Sequence, residues 1–189
     1  LDHNMHYKDG YPINGLTGGI SSKIGQLAKL IVLHLDGNRM TGRIPDELWN
    51  LTYLKQVFLG PNQFTGNLSS SISNLKDLTD LVIMETRMSG PIPESIYELT
   101  DLETLHLGLN DFTGTISESV GNLTKLTLLG LENKPPNASP LGGLIGNIPN
   151  STWNLSQLNY LYLSFNRLKG ELPEDIGVKL SHLQELKLE

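Results

Sequence analysis

Residues 27–50 read LAKLIVLHLDGNRMTGRIPDELWN, and the same frame returns at once as LTYLKQVFLGPNQFTGNLSSSISN (51–74), LKDLTDLVIMETRMSGPIPESIYE (75–98) and LTDLETLHLGLNDFTGTISESVGN (99–122). Leu27, Leu51, Leu75, Leu99 and Leu123 mark a period of 24 residues. A period of that size is the mark of a solenoid, whose units bury their apolar faces only against one another. Outward from these four copies the frame continues with an insertion over 123–154, again over 155–179, and in part over 1–26 and 180–189. One array over 1–189 is therefore expected. Because neither end carries the polar cap that such arrays need, it is expected to be a segment of a longer one.

Seven positions of the frame are apolar in all four unbroken copies; in the first they are Leu27, Leu30, Leu33, Leu35, Met40, Ile44 and Leu48. The alternation at Leu33 and Leu35 predicts a short strand with both leucines turned inward, and stacked copies then form a parallel sheet. Asn38, Asn62, Asn110 and Asn166 follow that strand, with Thr86 in the same column. A buried amide there has donors and acceptors for the backbone of adjacent coils, so a structural ladder is predicted. Gly18, Gly42, Gly66, Gly90, Gly114, Gly146 and Gly170 form a second column, where close approach or positive φ excludes a side chain. Ile44-Pro45, Ile92-Pro93 and Ile148-Pro149 lead into one helical or 3₁₀ turn on the convex side. Two insertions, around MHYKDGYPIN (5–14) and PPNASPLG (135–142), enter at the same phase and predict loops on one rim.

The net charge of −6 argues against nucleic acid and anionic membrane as partners. No run of 18 apolar residues is present, so no part of 1–189 is expected to enter a membrane, and no secretory leader is recognisable within it. The absence of cysteine removes disulfides and thiolate metal sites from consideration.

The frame LxxLxLxxNxLxGxIPxxL resembles the plant-type class of leucine-rich repeats, found in receptor-like kinases, receptor-like proteins and polygalacturonase-inhibiting proteins. That resemblance implies an α/β solenoid. It would be a right-handed arc with a concave parallel sheet, a short second sheet beside it, and convex 3₁₀ or short helical turns. It also implies recognition of a peptide, glycan or protein on the concave and lateral faces, at the cell surface or outside the cell. The leading expectation is part of a receptor ectodomain whose parent is membrane-associated and carries any kinase domain outside 1–189. A secreted inhibitor of a cell-wall-degrading enzyme is the rival.

Outward strand positions are where otherwise identical repeats differ. The column between the paired leucines reads His34, Phe58, Val82, His106, Gly130, Tyr162 and Lys187; the next reads Asp36, Gly60, Met84, Gly108, Glu132, Ser164 and Glu189. The column on the other side holds Val32, Gln56, Asp80, Thr104, Leu128, Tyr160 and Glu185. Aromatic, imidazole and thioether groups on a solvent-facing sheet suit a binding face, and His34, Asp36, Phe58, Met84, His106, Tyr160 and Tyr162 are the candidate ligand contacts. His34 and His106 stand three repeats apart, roughly 14–15 Å at ~4.8 Å per strand, too far to share a metal ion. His3 and His6 lack a third ligand, and no metal or cofactor is expected. No nucleophile elbow, phosphate loop or His-Glu-x-x-His motif occurs, so a non-enzymatic role is predicted. Asn-x-Ser/Thr triplets at Asn50, Asn67, Asn122, Asn150 and Asn154 are candidate N-glycosylation sites, whereas Pro140 weakens the one at Asn137. A remote alternative is an ice-binding face on Thr17, Thr41, Thr65, Ser89 and Thr113, although that column fails at Ile145 and Lys169.

Overall fold

The computed structural model describes residues 15–135 and 143–189. Most of the two rim insertions, His3, His6 and Asn137 lie outside these residues. Each turn of the solenoid contributes one strand to each of two sheets. The second sheet takes β1 (Thr17–Gly18), β3 (Arg39–Gly42), β5 (Gln63–Gly66), β7 (Arg87–Pro91) and β9 (Asp111–Thr113), then, as a separate pair, β11 (Ile145–Asn147) and β13 (Arg167–Lys169). The main sheet joins β2 (Val32–His34), β4 (Gln56–Phe58), β6 (Asp80–Val82), β8 (Thr104–His106), β10 (Leu128–Gly130), β12 (Tyr160–Tyr162) and β14 (Glu185–Lys187), all parallel. Five-residue 3₁₀ turns such as Asp46–Asn50 and Glu94–Glu98 close the coils, and a four-residue helix, α1 (Ile176–Lys179), replaces one of them. Among the described residues no helix is long and apolar enough to cross a membrane. The regular ladder of the second sheet lapses between β9 and β11, on either side of the second insertion, where the Gly143 and Ile145 amides still donate to the carbonyls of Phe112 and Gly114.

Apolar periodicity explains the interior. In the repeat beginning at Leu51 the seven frame positions, Leu51, Leu54, Val57, Leu59, Phe64, Leu68 and Ile72, are all buried, and the next two repeats repeat this. In the first repeat Leu27 stays half exposed because no described coil packs outside it. The convex side adds Trp49, Tyr97 and Trp153, which are buried although their column is not apolar throughout. Ser73 and Gly121 occupy the same column in the repeats between, and a methyl on Gly121 would lie 2.6 Å from the Ser151 Cβ. Large and small residues therefore alternate there, filling space that identical side chains would overfill.

The 3₁₀ turns begin in one of two ways. Pro45, Pro93 and Pro149 hold extended backbone before the turn, or Ser69 and Ser117 accept from the amides of Ser71 and Ser119. The glycine column takes the second of its two predicted roles. From Gly18 to Gly170 every member has positive φ, between 81° and 113°. A Cβ is strained in that region whatever the free space.

The predicted ladder is present and crosses between coils. Asn62 Nδ2 donates to the carbonyls of Leu59 and, one coil back, Leu35, while its Oδ1 accepts from the Met40 amide at 2.8 Å. Asn110 donates likewise to Leu107 and Ile83 and accepts from the amides of Thr86 and Met88. Asn166 donates to Leu163 and Leu131 and accepts from Leu144. Asn38 accepts from Leu16 and donates to Leu35. Thr86 stands in for an amide with its hydroxyl, which accepts from the Met88 amide and donates to Asn110 Oδ1. At Lys134 the column leaves the ladder, and the ammonium reaches Asp111 instead, at 3.0 Å. Asn133, one position earlier, is the buried residue there.

Replacing Asn62 with Ala strands the Met40 amide and the Leu59 carbonyl, while the Leu35 carbonyl keeps its bond from Asn38, and is expected to cost ~1–3 kcal/mol, read as a lower denaturation midpoint. A midpoint equal to the wild type's would remove the ladder from the energetics. Burial is the main cause that pushes the Tyr97 phenol up to about 12, against a hydrogen bond with the Ser117 backbone that lowers it and with a further increase from Glu94. An unfolded tyrosine ionises near 10. The buried phenol thus supports folding fully below pH ~10, and this support disappears as the pH climbs through about 12. The stability difference between wild type and Tyr97→Phe should shift by ~2–3 kcal/mol across that window in urea titrations.

Candidate functional site

The main sheet sets one side chain from each coil beside the next. His34 faces Phe58, Phe58 faces Val82, Val82 faces His106, and the register continues through Gly130 and Tyr162 to Lys187. The outward columns therefore form rows across the coils. Val82 departs from the expectation of an outward, exposed residue: it is buried beneath its neighbours.

Two clusters result. In the first, the rings of His34 and Phe58 meet at 4.4 Å and 54°. Beside them Gln56 donates to Asp80 Oδ2 at 3.0 Å, and the Thr79 hydroxyl donates to the same oxygen at 2.8 Å. Asp36 and Met84 lie half buried on the same face, in the column that follows.

The second cluster depends on two missing side chains. A Cβ on Gly130 would stand 2.2 Å from the His106 ring, and one on Gly108 would stand 2.2 Å from the Glu132 carboxyl carbon. His106 thus lies across the strand of Gly130 while Glu132 lies back across Gly108, and their Nε2 and Oε1 atoms meet at 2.8 Å. The pair is largely covered, with 13% and 15% of the side chains exposed, and Glu132 Oε2 is buried with no hydrogen-bond partner. The ring of Tyr162 packs 6.2 Å from His106 and 6.2 Å from Tyr160. Lys187 Nζ stands 4.7 Å over the Tyr162 centroid, in cation–π range, and also pairs with Glu185 at 2.8 Å. The Tyr162 hydroxyl donates to Glu185 Oε2 at 2.6 Å, and Tyr160 donates to Gln184 Oε1 at 3.1 Å.

Charge follows from these contacts. Burial is the largest cause holding the Tyr162 phenol neutral well beyond its ordinary range, and its donation to Glu185 adds to this. The hydrogen bond from Lys187, then that from Tyr162, holds the half-buried Glu185 carboxyl below its ordinary value. The phenol therefore stays a donor and the carboxylate an acceptor across the range in which proteins work. The row offers rings, one ammonium and several carboxylate oxygens. Among the described residues no three His, Asp or Glu converge as metal ligands.

His106, Tyr160 and Tyr162 thus stand together, His34 and Phe58 stand together, and Asp36 and Met84 share the face in the column that follows. Sequence reasoning passed over Glu132, Glu185 and Lys187 as site members. The available signal was Gly108 and Gly130, which with Gly60 are the glycines in outward columns otherwise filled with larger groups. Of the candidate glycosylation residues, Asn50, Asn122, Asn150 and Asn154 lie exposed on the 3₁₀ turns, and Asn67 lies exposed just past β5.

The Leucine Rich Repeat family model matches residues 29–51, 101–123 and 157–178. No curated protein matches the chain. Solved structures do. A TDR receptor is 38% identical over 91% of this chain and 28% of its own, with a TM-score of 0.82. PEPR1 with AtPEP1 is 33% identical over 92% of this chain and 23% of its own, at 0.81. The Arabidopsis receptor kinase HAESA, in complex with the peptide hormone IDA and the co-receptor SERK1, is 33% identical over 93% of this chain and 32% of its own, at 0.73. The chain thus spans less than a third of these receptor structures. The 24-residue frame, the amide ladder, the paired parallel sheets and these likenesses agree, and the chain belongs to the plant-type leucine-rich repeat family.

Proposed function

We propose that this chain is a non-catalytic recognition segment of a cell-surface receptor and takes an extended peptide along its main sheet. The carrying observation is the row from His106 through Tyr162 to Lys187, where rings, an imidazole–carboxylate pair and an ammonium are already held against one another before any ligand arrives. Side chains fixed in this way lose little conformational freedom on binding, which is where affinity is otherwise spent. The solved receptors similar to this chain support the reading, since PEPR1 was crystallised with AtPEP1 and HAESA with IDA. His34, Asp36, Phe58 and Met84 extend the contact toward one end of the row, Tyr160 and Tyr162 toward the other. An extracellular location accords with the HAESA receptor, which has been solved as its leucine-rich repeat ectodomain.

Tyr and other large aromatic contacts carry most of the energy in such faces, often 2 kcal/mol or more each. In a displayed-peptide selection against this chain, Phe58→Ala with Tyr162→Ala should therefore weaken recovered peptides by a factor of about 100 or more. Both side chains lie outside the leucine interior, so circular dichroism should show an intact fold. Equal capture by the two proteins would end the assignment of this face. A second variant tests preorganisation alone. Gly130→Val drives the imidazole of His106 off its seat and away from Glu132, so His106 should give a changed proton resonance and the peptides should bind more weakly. Unchanged affinity with a displaced His106 would show that the pair plays no part.

A further inference from the structure

All four arginines of this chain lie on or beside the second sheet: Arg39 opens β3, Arg43 follows it, Arg87 opens β7 and Arg167 opens β13. All four are exposed, and among the described residues none of the guanidiniums forms an ion pair or a side-chain hydrogen bond. Among the described residues the ion pairs use lysine, and except for Lys134 with Asp111 they lie, like the His106–Glu132 contact, on the main sheet or the convex turns. The main sheet has the opposite balance, with Asp36, Asp80, Glu132, Glu185 and Glu189 against Lys187. A chain of net charge −6 has thus gathered its unpaired guanidiniums on one flank.

The flank has shape as well as charge. Arg39, Gln63, Arg87 and Lys134 line an open groove floored by Asn62 and Thr86 of the ladder. The stem of Arg43 lies across β5, within 3.1 Å of where a Cβ on Gly66 would stand. Arg39 and Arg87 open strands separated by β5 alone, so their backbones stand roughly 10 Å apart at ~4.8 Å per strand. Three residues of extended chain cover that span at ~3.3 Å each. Guanidinium is the side chain whose planar fork matches a carboxylate with two parallel hydrogen bonds. Glu85 is the acid among the groove's described lining residues, and it meets any incoming carboxylate with repulsion.

We propose that the second sheet is a docking face for a carboxylate-rich segment of a partner protein, a run of Asp or Glu held by Arg39 and Arg87. The site is separate from the peptide row on the main sheet and does not rest on that reading.

The test measures anisotropy of a fluorescently labelled oligoglutamate peptide titrated with the complete 189-residue chain. The wild type should bind it, with affinity falling steeply as ionic strength rises. Arg39→Gln with Arg87→Gln should weaken binding at least about tenfold, and Arg39→Lys with Arg87→Lys, which keeps the charge but loses the fork, should fall between. Glu85→Gln should bind more tightly. Phe58→Ala with Tyr162→Ala should leave the peptide's affinity unchanged, which separates this face from the main sheet. No binding by the wild type, equal binding by the double glutamine variant, or loss of binding in the aromatic variant would each overturn the proposal. Retention of a sulfated dextran in place of oligoglutamate would overturn the polypeptide as occupant.

Discussion

The structure depends on the buried asparagine amide that bridges one coil to the next. A coil of 24 residues turns its chain sharply after the strand, and the backbone groups freed at that turn point inward, away from water. Asn62 and Asn110 satisfy them within their own coil and in the preceding one at the same time. Leucine packing alone would tolerate some sliding between coils, because apolar contact has no direction. The amides permit one register. That register brings His34 level with Phe58 and Gly130 level with both His106 and Tyr162.

Once register is set, glycine becomes as informative as any functional side chain. Gly108 and Gly130 leave room on neighbouring strands, and His106 and Glu132 use that room to lie flat and meet. The Glu132 oxygen that finds no partner is the cost of drawing a carboxylate so close to the sheet. On the convex side the same device works through Ser73 and Gly121, which make room beside Trp49, Tyr97 and Trp153. Small residues in a repeat array therefore record what the next coil places over them.

The two sheets also divide the charge of the molecule. Carboxylates collect on the main sheet, where Lys187 and His106 engage some of them, and guanidiniums collect on the second. Opposite potentials on adjacent faces give partners of different charge distinct places to approach, and such fields act on encounter before contact is made. A single narrow solenoid can in this way hold more than one recognition surface without a second domain.

Much of this was legible in one dimension. The period, the inward leucines, the amide column with Thr86 in it, the glycine column and the outward columns all follow from spacing, because each coil meets the same neighbours in the same way. What the sequence could not supply was the relation between residues of different coils that are not equivalent. That Val82 is covered, that His106 reaches Glu132 across two glycines, that Tyr162 joins Lys187 and Glu185, and that Lys134 abandons the ladder for Asp111 are matters of side-chain direction over a shared surface. A repeat determines which column a residue occupies, whereas side-chain packing between coils decides which neighbour it touches.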